Sequence, residues 1–179
     1  MKKLSLDDLG RITPAQYKDA AKLPVVLVLD NVRSLHNVGS AFRTADAFLV
    51  ERIILTGITG TPPNREIHKT ALGATESVPW QYAETTPGIL QTLKSEGYTV
   101  IIVEQTDQSI PLQDFDFPPS GKFAVVFGNE INGVSDEALP IADHAVEIPQ
   151  AGSKHSLNVA VCLGVVVWTM FRKLRLDAV

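Results

Sequence analysis

Three polar pairs in this sequence are placed where they could do chemistry: Asn37 with Arg43, Asn129 with Glu130, and Ser156 with Asn158. Each stands just past a continuous apolar run of strand length. Loops at the carboxyl ends of strands are where ligands sit in α/β domains. Two such loops, residues 128–135 and 149–155, belong to one stretch, residues 123–168. That stretch reads as strand, glycine-rich turn, short helix, strand, glycine-containing loop and long apolar helix. Taken singly, each pair has an ordinary explanation. Asn37 and Ser156 are good helix N-caps, Asn129 and Glu130 suit a turn, and Arg43 suits a solvated helix face. The combination of three clusters at strand ends points to a ligand site.

Several familiar chemistries are excluded. The segment GNEINGVS sets Gly128, Gly133 and Ser135 at the spacing of a phosphate-binding loop, but Val134 stands where the phosphate-reaching lysine belongs. Glu130 would also bring a carboxylate into a nest built for anions. No G-x-G-x-x-G follows the first strand, so the dinucleotide fingerprint is absent. His36, His68, His144 and His155 are scattered with no Cys/His pair at ligand spacing, and no metal is expected. His155 and Ser156 diverge at a helix start, and there is no nucleophile elbow.

The elements that position these residues alternate. Thr13 and Pro14 signal a helix start, with the helix running to about Lys22 and a strand following over residues 24–30. Residues 31–35 read as loop and Asn37 as N-cap of a helix whose apolar stripe is Val38, Ala41, Phe42, Ala45 and Phe48. A second strand covers residues 52–57. A short helix is expected over 65–72, a short strand over 78–83, and a helix opened by Thr86-Pro87 and stopped by Gly97. Residues 98–105 are strand, and the phenylalanines of residues 111–122 are expected to pack as a lid over an edge. The class is α/β, a mostly parallel sheet flanked by helices.

At 179 residues the chain makes one domain, preceded by a short helical extension over about residues 1–22. A single cysteine, Cys162, sits in an apolar run and suits a reducing compartment; it is expected to be a small core residue. The N-terminus has no apolar segment of signal-peptide length, so a cytoplasmic location is expected. The most apolar run, residues 157–171, falls short of the roughly 20 residues that cross a bilayer, and no membrane association is expected. The net charge of -4 gives no general attraction for nucleic acid, so such a partner needs a local patch.

In order and spacing, NVRSLHNVGSAFRTADAF, VVFGNEINGVS and IPQAGSKHSLNVAV resemble the three motifs of the SpoU (TrmH-type) ribose 2′-O-methyltransferases of the SPOUT class. The likeness runs from about Leu23 to Arg172. It implies a C-terminal trefoil knot, an exception to the rule against knots. It implies S-adenosyl-L-methionine bound by loops around Gly128, Ile148 and Leu157. It implies catalysis by Arg43 with help from Asn37, Glu130, Ser156 and Asn158, on tRNA or rRNA, in a homodimer whose subunits share sites. Arg33, His36, Arg65, Lys69 and Lys154 form the basic patch for RNA. The alternative is a non-catalytic RNA-binding or cofactor-binding relative. Many members carry a further RNA-binding domain, whereas about 23 residues precede the first strand here.

The residue types suit that chemistry. Methyl displacement needs orientation and an activated hydroxyl, with no metal. Arginine is a costly base: with a pKa about 6 units above neutrality, deprotonation takes on the order of 8 kcal/mol. Arg43 therefore reads as a donor that stabilises a developing alkoxide. The helix over residues 157–174 is apolar nearly all round, which hints independently at a partner subunit, the alternative being that the N-terminal helix covers it.

Overall fold

The computed structural model describes residues 1–5 and 7–177. Its elements are α1 (Pro14–Asp19), β1 (Leu23–Asp30), α2 (Leu35–Ala47), β2 (Val50–Thr56), α3 (Arg65–Ala71), α4 (Ala74–Ser77) and β3 (Trp80–Ala83). They continue with α5 (Thr86–Ser95), β4 (Thr99–Val103), β5 (Ile110–Pro111), β6 (Phe123–Phe127), β7 (His144–Glu147) and α6 (Val159–Phe171). The strands form one sheet in the order β3-β2-β1-β6-β4-β7-β5. Every pairing is parallel.

The apolar run of β1 is continuous because both of its faces are covered. Val25, Leu27 and Leu29 join a core shared with α1, α2, α3 and α6. Val26 and Val28 join a second core on the opposite face, with Leu90 and Leu93 of α5 and with Val134 and Ala138. The α/β class expected from the alternating elements is the class observed.

The parallel order decides where a ligand can sit. The strands β1, β6, β4 and β7 are neighbours, so the loops after Asp30, Phe127, Val103 and Glu147 all leave one end of the sheet.

Several boundaries differ from the sequence reading. Thr13 caps α1 through a capping box with Gln16, but the helix ends at Asp19 rather than near Lys22. Ser34, not Asn37, caps α2; its hydroxyl accepts from the Asn37 N–H at 3.3 Å, so the helix starts three residues earlier than expected. Asn158, not Ser156, caps α6, accepting from the N–H groups of Ala160 and Val161 at 2.9 and 3.3 Å. Thr85 holds the N-cap position of α5, and Thr86 turns inward. The short helix expected after residues 128–135 is a single 3-10 turn, Leu139–Ile141. Phe115 and Phe117 are no lid. They lie within the main core, edge to face at 4.8 Å, with Phe117 against Phe123 at 5.5 Å.

Candidate active site

At the loop-bearing end of the sheet lies a cleft of about 520 Å³, bounded by residues that follow β4, β6 and β7 and by the start of α6. Its floor depends on a tight turn after β6. The N–H of Asn129 donates to the carbonyl of Gly133 at 2.8 Å and that of Gly133 returns to Asn129 at 2.9 Å. The Asn129 carboxamide closes the same turn by accepting from Ile131 N–H at 2.8 Å. Its NH₂ donates to the carbonyl of Asn31, which ties the turn to the end of β1.

Two glycines make this turn feasible. A Cβ on Gly128 would stand 2.0 Å from the Gly133 carbonyl carbon and 2.1 Å from the Val134 nitrogen. Gly133 has φ of +70°, and a Cβ there would meet the Glu104 carboxylate. Gly128 is thus required by backbone packing against backbone within the loop.

Glu130 leaves the turn and reaches the N-terminus of α2. Its carboxylate accepts from the N–H groups of Arg33 and Ser34, both at 3.0 Å, and from the Asn37 carboxamide at 2.9 Å. Partial burial pushes its pKa up, but the hydrogen bonds from Arg33, Asn37 and Ser34 outweigh that and hold the carboxyl below its ordinary value. An anion at a helix N-terminus is well placed, because those N–H groups have no partner within the helix. Asn37 then accepts from the Asn158 carboxamide at 3.2 Å. One hydrogen-bonded chain therefore links the first, second and third polar clusters: Asn158 to Asn37 to Glu130. Starting α2 at Leu35 is what frees the Asn37 side chain for this role.

The remaining expected residues divide. Gly128, Glu130, Ile148, Ser156, Leu157 and Asn158 border the cleft. Arg43 does not. Six residues beyond Asn37 on α2, it lies about 9 Å further along the axis and roughly 120° around it. Its side chain is exposed and has no ion-pair partner among the described residues. Of the basic patch, His36 and Lys69 are both engaged by Glu66, at 3.0 and 2.7 Å. Arg33, Arg65 and Lys154 are exposed. Cys162 is half-buried, packing against the main core while also bordering the cleft; burial, and then the charge of Glu104, push its thiol up to about 11.

Two carboxylates escaped the sequence reading. Asp30 is fully buried at the end of β1; it accepts from Ser135 N–H at 2.7 Å, from the Thr86 hydroxyl at 2.6 Å and from Asn31 at 2.8 Å. It pins the far end of the turn. Glu104, just past β4, accepts from the N–H groups of Val134 at 3.1 Å and Gln105 at 2.9 Å while bordering the cleft. The available signal was an acidic residue closing an apolar strand.

The donor set of the cleft is selective. Glu104, Glu130, Glu147 and His155 border it, with no lysine or arginine among the described residues, and Val103, Ile148, Leu157 and Val159 give it an apolar wall. Such a lining repels polyphosphates and suits a ligand with an apolar ring and net positive charge. S-adenosylmethionine fits on both counts.

Comparison with known proteins agrees with the geometry. The sequence profile described as the SpoU rRNA Methylase family matches residues 24–168. The chain is 34% identical over 151 residues to the 23S rRNA (guanosine-2′-O-)-methyltransferase RlmB of Ralstonia nicotianae, covering 84% of this chain and 59% of that protein. It is 31% identical over 172 residues to RlmB of Vibrio parahaemolyticus, covering 96% of this chain and 66% of that one. Among solved structures, an AdoMet-bound rRNA methyltransferase from Sinorhizobium meliloti superposes with a TM-score of 0.78 at 28% identity, over 86% of this chain and 61% of that one. The chain spans less than two thirds of the length of each of these relatives.

Proposed function

The chain belongs to the SpoU rRNA methylase family, and from that premise we propose that it is an S-adenosylmethionine-dependent RNA methyltransferase acting on a ribose 2′-hydroxyl of tRNA or rRNA. The observation that carries this is the meeting of three distant segments in one chain of hydrogen bonds at the cleft. When bound, S-adenosylmethionine supplies a methyl group already activated toward displacement.

The protein's residues supply binding and charge. The loops at Gly128, Ile148 and Leu157 hold the cofactor against the apolar wall. Glu130 is a poor base, because its carboxylate is committed to three donors and sits below its ordinary pKa. Its role, with Asn37 and Asn158, is to fix the rim. Arg43 donates to the 2′-oxygen as the hydroxyl proton passes to a phosphate of the RNA substrate. Ser156, exposed at the cleft and free of the capping duty expected of it, is placed to contact RNA, as are Arg33, Arg65 and Lys154.

The protein is further proposed to be a cytoplasmic homodimer formed through α6, with Arg43 of one subunit serving the cleft of the other. Two observations support this. Arg43 lies outside its own chain's cleft, and α6 leaves an apolar stripe uncovered, with Val161, Val165 and Trp168 at 55%, 39% and 48% exposure. Among the described residues no helix is long and apolar enough to cross a membrane. The insertion of β7 between the earlier strands β4 and β5 supports threading of the C-terminal segment into a trefoil knot.

The decisive experiment is transfer of a labelled methyl group to total RNA, followed by mapping of 2′-O-methylated positions. Cofactor binding without transfer to any RNA would favour the non-catalytic alternative. Val165→Asp tests the interface. Because Val165 is exposed in a single chain, the variant is expected to fold and to run as a monomer by light scattering, whereas a soluble dimer would place the interface elsewhere. Val166 cannot serve, since it is 1% exposed within the chain's own core.

A further inference from the structure

The structure assigns to Glu104 the recognition of the ribose diol of an adenosyl ligand in this cleft. This rests on the proposed cofactor reading and adds a residue that no family motif quoted above contains. Glu104 follows β4 directly and borders the cleft together with Val103 and Cys162. The upward push of the Cys162 thiol by the Glu104 charge reflects how near the two are. Glu104 also grips the turn at Gly133 and Val134 through the Val134 N–H.

Each carboxylate oxygen accepts one backbone N–H, Oε2 from Val134 and Oε1 from Gln105. A carboxylate has about four acceptor positions, so one remains on each oxygen. Two adjacent acceptors match two vicinal hydroxyls, and a ribose attached to an adenine on the apolar wall must lie beside that wall. An acidic side chain at the end of a parallel strand performs the same task for the ribose of dinucleotides on another fold. The other cleft carboxylates are less suited. Glu130 faces α2, and Glu147 Oε2 accepts from the Ser109 hydroxyl at 3.0 Å, on the side of the edge strand β5. The backbone bonds hold Glu104 in place before a ligand arrives, so little ordering is needed on binding.

The test uses calorimetry on the full chain with S-adenosylhomocysteine and its 2′-deoxy and 3′-deoxy adenosyl counterparts. Wild type is expected to bind each deoxy ligand about 10-fold or more weakly, the usual effect of losing a hydrogen bond to a charged group. Glu104→Gln is expected to weaken the parent ligand about 10-fold or more and to shrink the deoxy penalty to within about two-fold. A general loosening of the turn would lower affinity for all three ligands equally and leave the penalty intact. An undiminished penalty in Glu104→Gln therefore overturns the assignment, as does a wild type indifferent to the hydroxyls, which needs no variant to fold. If wild type binds none of the three, the cofactor reading itself fails, which is a different result.

Discussion

Arg43→Ala is expected to slow methyl transfer to RNA by about 10²-fold or more while leaving S-adenosylhomocysteine affinity within about two-fold of wild type. The split follows from where the residue stands. Arg43 is exposed on α2 and does not border the cleft of its own chain. Its removal costs only an interaction made with charge that appears as the 2′-hydroxyl is deprotonated. An interaction of that kind lowers the rate without changing ground-state binding. Stability should also be unaffected, since an exposed arginine without an ion-pair partner contributes little. Arg43→Lys is expected to recover less than about a tenth of the lost rate, because an ammonium lacks the planar fork that can hold a 2′-oxygen and a neighbouring phosphate together. An alanine variant with full rate on a methylatable RNA would remove Arg43 from the mechanism.

How much of this was legible in the sequence depends on the range of the interaction concerned. The sheet was readable because a doubly covered strand writes itself as an unbroken apolar run, as in β1 and β6. The ligand end was readable because polar residues interrupt such runs only at their ends. The helix starts were less so, since Ser34 and Asn37, or Ser156 and Asn158, are equally good caps by residue type. What decides between them is tertiary. The Asn37 side chain is drawn to Glu130, 93 residues away, and the Asn158 carboxamide reaches Asn37, 121 residues away, while its oxygen still caps α6. Glu130 was read as an intruder in an anion nest. The nest it occupies is the N-terminus of α2, a partner that no local spacing could reveal. The role of Asp30 was hidden for the same reason, since Ser135 and Thr86 reach it from 105 and 56 residues away.

Gly128→Ala is expected to weaken S-adenosylhomocysteine binding by about 10²-fold or more, although it adds one methyl group. That group would overlap backbone atoms of Gly133 and Val134 at 2.0 and 2.1 Å, and backbone cannot swing aside as a side chain can. The turn must open, losing the paired hydrogen bonds between Asn129 and Gly133 and the hold of Glu104 on Val134. The rest of the chain should remain folded, because of residues 128–134 only Val134 belongs to a core. A fall in melting temperature of roughly 5–10 °C is expected from strain of a few kcal/mol in a chain of this size. The variant also provides a way to ask whose arginine serves which cleft. In an Arg43→Ala subunit the cleft is intact but the guanidinium is missing, and in a Gly128→Ala subunit the reverse holds. If sites are shared across a dimer, a mixed dimer has one fully intact site, and free exchange of equal amounts should restore about a quarter of wild-type activity. If each arginine serves its own cleft, every site in every dimer lacks one part and mixing restores nothing. Activity that returns on mixing two dead proteins therefore requires the shared site, and its absence in dimers shown to exchange would return Arg43 to the cleft of its own chain.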